Sequence, residues 1–169
     1  MRVTTPKRTI LESPVAYFAA VLVRTDEQWE AREADLDDVE DPVGMTALAR
    51  DAAVDDEPVL LFVEQEDTWF AVVRVDGEED PRIYVSDVAA VARSAYADAL
   101  LTADVLDGLE EDEDAALPPG PAGDESVLAD LGVSATLLAE LASDAGLPAD
   151  AIAVIAERLG CADELETVR

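Results

Sequence analysis

The residue types that carry most enzyme chemistry are scarce in this chain of 169 residues. It has no histidine and one cysteine, Cys161, beside 40 Asp and Glu and 11 Lys and Arg. Without His, neither a Ser-His-Asp nor a Cys-His nucleophile can be assembled, and His-ligated zinc is excluded. A lone Cys rules out an intramolecular disulfide. Carboxylates remain, but they are so numerous that some pair always lies close in space, so none is singled out for acid–base work. The run Glu110–Asp114 lacks the glycine at the sixth position and the glutamate at the twelfth that an EF-hand loop needs, and Asp35, Asp37, Asp38, Glu40 and Asp41 fail the same spacing. Both read as solvated surface. No catalytic residue, cofactor or metal ligand is expected.

Recognition is the remaining chemistry. Trp29 and Trp69 are candidate partner-binding aromatics, although their apolar flanks also suit a core or its edge. Arg93 and Tyr96 lie off the apolar stripe of their helix and are further partner-face candidates. The formal charge of −29 repels phosphate backbones over a Debye length of about 8 Å. Direct nucleic-acid binding is therefore not expected, and a basic protein partner is. The basic residues are ten Arg and one Lys, with no Asn, a profile typical of GC-rich coding.

The elements that must position these residues follow from patterning. Residues 1–14 read as a loose extension. Val15–Val23 is apolar on both alternating faces, so it is a strand that needs cover on both sides. Arg2, Lys7 and Arg8 precede it as in a signal peptide, but Glu12 and Pro14 interrupt and no cleavage site follows. No run reaches the roughly 20 apolar residues of a membrane span, and a cytoplasmic location with reduced Cys161 is expected. Val59–Val63 repeats the doubly apolar character, and Trp69–Val75 returns across a turn at 64–68. A further turn at 76–81 leads to a short strand, Arg82–Val85, completing an antiparallel meander. Ser86 suits the cap of a helix from Asp87 to about Leu100 that packs on the sheet.

A shift of 40 residues aligns Val21, Val23, Trp29 and Ala31 with Leu61, Val63, Trp69 and Ala71, which suggests a second hairpin with Trp29–Leu36 as its return strand and a helix over Thr46–Ala53. The identity is thin, and two acidic turns before aromatic strands also arise without duplication. Residues 107–124 read as an acidic, Pro/Gly-rich linker unable to bury enough surface to order itself. Beyond it Gly132, Gly146 and Gly160 recur at 14-residue spacing, each suited to a position just past a helix end. The region 125–169 is therefore a chain of short helices. In one of them Ile152, Ile155, Ala156 and Leu159 form a stripe that needs a neighbour. Cys161 is expected to be buried. The fold class is α+β: a mainly antiparallel sheet with packed helices over 15–106, the linker, and the helical C-terminal region, whose helices or a second subunit cover the sheet's other face.

Three segments, AYFAAVLVRTDEQWEA, WFAVVRVDGEEDPRIYVSDVAAVARSAY and LPADAIAVIAERLG, resemble the actinobacterial family of tRNA adenosine deaminase-associated proteins. The middle one is the most specific, with Trp69, Phe70, Arg74, Asp76, Pro81, Ser86 and Asp87 in one unbroken match. The resemblance implies a non-enzymatic accessory of the deaminase that converts the wobble adenosine of tRNA to inosine. It brings no catalytic residues. A zinc deaminase of that kind needs three His or Cys ligands and a nearby Glu, which this chain cannot supply. Two other classes remain: a carboxylate- or Mg-dependent enzyme, and a self-associating structural protein such as a homodimer. A pocket of convergent carboxylates would mark the first.

Overall fold

The computed structural model describes residues 17–25, 28–34, 39, 41–52, 57–65, 68–77, 81–94, 96–102, 105, 120–143 and 148–167. The elements in chain order are β1 (Tyr17–Thr25), β2 (Gln28–Glu33), α1 (Pro42–Ala52), β3 (Val59–Gln65), β4 (Trp69–Val75) and β5 (Arg82–Val85). They continue as α2 (Val88–Ala92), α3 (Ala97–Leu100), β6 (Ala122–Gly123), a 3-10 turn (Ala129–Leu131), α4 (Ala135–Ser143), α5 (Pro148–Leu159) and α6 (Ala162–Glu166). The strands form one sheet in the order β2-β1-β3-β4-β5-β6, antiparallel at every junction. The expected α+β class holds.

The doubly apolar strands lie at the centre of the sheet, where both of their faces are covered. On the first face Val21, Val23, Leu61, Val63, Ala71 and Val73 meet Met45 and Ala49 of α1, Val88 and Val91 of α2, and Leu100 of α3. On the second face Leu22, Leu60, Phe62, Phe70, Val72 and Tyr84 meet Val127, Leu128, Leu138, Ile152, Ile155, Ala156 and Leu165. The C-terminal helices thus supply the cover that the strand pattern demands, and the Ile152, Ile155 and Ala156 stripe finds its neighbour in the sheet.

Caps explain several of the helix boundaries. Asp41 Oδ1 accepts the Gly44 N–H at 2.8 Å and Pro42 opens α1, so the helix starts four residues before the expected Thr46. The cap of α2 is Asp87, whose Oδ1 accepts from Ala90 N at 3.3 Å, and not Ser86. Ser86 Oγ instead accepts the Phe70 N–H inside the sheet edge. The single helix expected from Asp87 to Leu100 is broken: Ser94 Oγ donates to Val91 O at 2.7 Å and accepts from Tyr96 N, so its side chain substitutes for helix backbone partners. In the C-terminal region Gly132 and Gly160 have φ of 110° and 85°, and Cys161 N donates to Ala156 O past the end of α5. Gly146 and the run Glu110–Asp114 lie outside the described residues.

Three further expectations change. The return strand ends at Glu33 and not at Leu36. Glu64 and Gln65 belong to β3 and not to a turn, so Glu64 is a buried carboxylate, in register between Phe18 and Phe70. The end of the supposed linker is ordered. Val88 N donates to Gly120 O at 2.8 Å, and Ala122 and Gly123 pair with Val85 and Tyr84. A Cβ on Gly123 would stand 2.1 Å from the Ile83 carbonyl oxygen, so only glycine permits this approach. The 40-residue shift also fails on geometry. Thr25 pairs with Gln28, whereas Gln65 pairs with Trp69, leaving one more residue in the second turn. That single residue reverses the faces of the return strand, and Trp29 and Trp69 lie on opposite sides of the sheet.

Candidate partner surface

Two arginines fasten the C-terminal region to the sheet. Arg74 of β4 and Arg82 of β5 are register partners on the second face. The Arg74 side chain is 7% exposed. Its Nη1 donates to Val127 O at 2.9 Å and to Asp130 Oδ1 at 2.6 Å, Nη2 donates to Asp130 Oδ2 at 3.0 Å, and Nε donates to Asp76 Oδ1 at 3.1 Å. This two-pronged geometry suits guanidinium and not ammonium. Hydrogen bonding to Asp130 raises the Arg74 pKa against the opposing effect of burial, and Asp76 adds to the rise. The same hydrogen bond from Arg74 holds the Asp130 carboxyl below the ordinary carboxylate range.

Arg82 Nε donates to Asp124 Oδ2 at 2.7 Å, and Nη2 to Ser126 O at 3.1 Å. Burial works to raise the Asp124 pKa, but hydrogen bonds from Ser126 and Arg82 outweigh it and the net shift is downward. This pair stands on the wall of a cleft of about 270 Å³ lined by Pro81, Arg82, Ile83, Thr102, Val105, Gly123 and Asp124. Asp124 is the one carboxylate among the described residues that line the cleft. Matched to Arg82 and held below the ordinary carboxylate range, it is ionised at neutral pH.

The four candidate partner residues do not converge. Trp69 is 1% exposed. Its Nε1–H donates to Gln65 Oε1 at 2.6 Å, and the half-buried Tyr96 ring meets it edge-on, with centroids 6.2 Å apart at 68°. Arg93 is exposed in the break between α2 and α3 on that same side. Trp29 is 7% exposed on the other face, beneath the C-terminal layer, with the Arg24 guanidinium 5.7 Å from its ring centroid. Sequence patterning thus brings Trp69 and Tyr96 together and separates both from Trp29. Cys161 is buried, and burial, followed by the Glu164 charge, pushes its thiol up to about 12, far from a reactive thiolate.

The exposed positions of the C-terminal layer carry one dominant sign. Glu125, Asp130, Glu140, Asp150, Glu157, Asp163 and Glu166 are exposed there, against Arg158 as the basic residue among its described positions. Arg74 and Arg82 offset Asp130 and Asp124 at the margin of this layer, and the other exposed carboxylates stand apart from that clamp. These acidic residues lie on separate helices, so the surface they share forms only in the folded chain. Among the described residues no three His, Cys, Asp or Glu side chains are grouped to hold a metal ion, and no helix is long and apolar enough to cross a membrane.

The fold and surface define an α+β protein with an antiparallel sheet held between two helical layers, one of them strongly acidic. The chain belongs to the Rv3753c-like tRNA adenosine deaminase-associated protein family, whose model matches residues 17–162. No curated protein and no solved structure matches it.

Proposed function

We propose that this chain is a non-catalytic accessory protein that binds tRNA adenosine deaminase, with the acidic C-terminal layer as its docking surface. Family membership is the observation that carries the reading. Charge supports it: a tRNA-binding enzyme presents a basic surface, and this chain offers a formal −29. Complementary fields chiefly raise the association rate and reject wrong partners. The lack of His and the single Cys support a non-catalytic role in deamination, since no zinc ligand set can be drawn from this sequence. The acidic protein covers the basic tRNA-binding surface and competes with tRNA for it. A cytoplasmic location follows from that partner.

Size-exclusion chromatography of the full chain mixed with purified deaminase tests the reading, alongside metal analysis of the chain alone. A co-eluting complex and no stoichiometric zinc are expected. Separate elution at low and moderate salt, or one tightly held zinc per chain with adenosine deamination, overturns it.

A further inference from the structure

The sheet ends differently at its two sides. β6 is two residues long, too short to template another strand, whereas β2 presents six residues at the opposite edge. Ala34 N donates to Ala19 O at 2.9 Å, one step beyond the Glu33–Ala20 pair. Bonded and non-bonded pairs alternate along an antiparallel ladder. Arg32, Glu30 and Gln28 therefore direct their backbone groups to β1, and Glu33, Ala31 and Trp29 turn theirs to the outer edge of the sheet. The side chains of Gln28, Glu30 and Arg32 are exposed.

We propose that β2 is a self-complementary edge through which two copies of this chain pair antiparallel, about a twofold axis at Ala31. In that register Ala31 faces Ala31 of the second copy and Trp29 faces Glu33. Every one of these pairs joins two outward-facing residues and exchanges two backbone hydrogen bonds. Between them Glu30 falls opposite Arg32 of the second copy, and Arg32 opposite its Glu30. These are non-bonded positions, where cross-strand side chains approach most closely. The neighbouring registers that also match outward groups set Glu30 against Glu30 or Arg32 against Arg32, and like charges directly opposite are destabilising. Charges on an edge strand usually prevent pairing; here their spacing selects one partner and one register. The small Ala31 side chain at the axis leaves room for the two strands to meet.

Sedimentation velocity on the full chain, up to about 1 mM and at about 0.3 M salt to screen the net charge, tests the pairing. A concentration-dependent monomer–dimer equilibrium is expected. Glu30→Arg and Arg32→Glu should each weaken it about tenfold or more, since each turns two attractive cross-strand pairs repulsive. An equimolar mixture of the two variants should dimerise again, because one carries cations where the other carries carboxylates. Both positions are exposed, and circular dichroism confirms folding of each variant. A wild-type chain that stays monomeric throughout, as it would if a different protein occupied this edge, overturns the proposal. So do single variants that dimerise like the wild type, or a mixture that does not associate.

Discussion

Arg74 places a charge 7% exposed at the margin of an aliphatic core, and its cost is met by four hydrogen bonds to Val127 O, Asp130 and Asp76. Removing it leaves Val127 O without that donor and takes away a packed stem. Arg74→Ala should cost about 2–3 kcal/mol in urea unfolding. Asp130→Ala should cost only about 1 kcal/mol, because Asp130 is 62% exposed and Arg74 retains Val127 O and Asp76. The reverse order would contradict the clamp. Little of this was legible in the sequence: Arg74 and Asp76 stand out there only as part of a matched segment, and Val127 and Asp130 lie more than 50 residues further along the chain. Tyr84 gives a second test. Its hydroxyl is buried with no hydrogen-bond partner among the described residues, and burial, then the Glu125 charge, pushes its pKa up to about 12. The neutral form is the one the fold accepts. Stability from Tyr84 and Cys161 is therefore complete below their unfolded values of 10.0 and 9.0 and declines as pH rises toward about 12. Tyr84→Phe should be neutral or stabilising at pH 7 and should flatten the part of the decline above about pH 10 in thermal melts. An unchanged alkaline profile would contradict the burial of that hydroxyl.

The elements divide by how local their causes are. β1, β3 and β4 are legible because burial on both faces leaves continuous apolar runs, and the two end glycines Gly132 and Gly160 mark turns that any short helix makes. The break at Ser94 is less legible, since a serine competes with a helix only when its neighbours let the side chain reach the backbone. The ordering of Gly120–Asp124 depends on β5 and on Asp87, to which composition is blind. The same holds for the reversed faces of Trp29 and Trp69, which turn on one residue of hairpin length. The second face is where an element-scale test bites. Ending the chain near Leu117 removes every C-terminal residue that covers Leu60, Phe62, Phe70 and Val72. Each such side chain contributes about 1.5–3 kcal/mol by burial, and their sum rivals the 5–15 kcal/mol total stability typical of a domain. The truncated chain should aggregate or bind an apolar dye. A truncated monomer as soluble and as stable as the full chain would contradict the shared core.

At the scale of the whole molecule, a sheet covered on both faces leaves its outer layers free to carry charge, and the formal −29 is spread along the whole chain, with nine of the 40 carboxylates in residues 125–169. The family and the α+β class were both within reach of sequence reading; the acidic layer was not, because it is assembled from helices that meet only when folded. Association with the deaminase is the central claim. Titrating the full chain into a complex of deaminase with labelled tRNA, at about 0.05 and 0.3 M salt, tests it most directly. The account predicts saturable displacement of tRNA that demands more protein at the higher salt. No displacement and no salt-dependent binding at either concentration would contradict it.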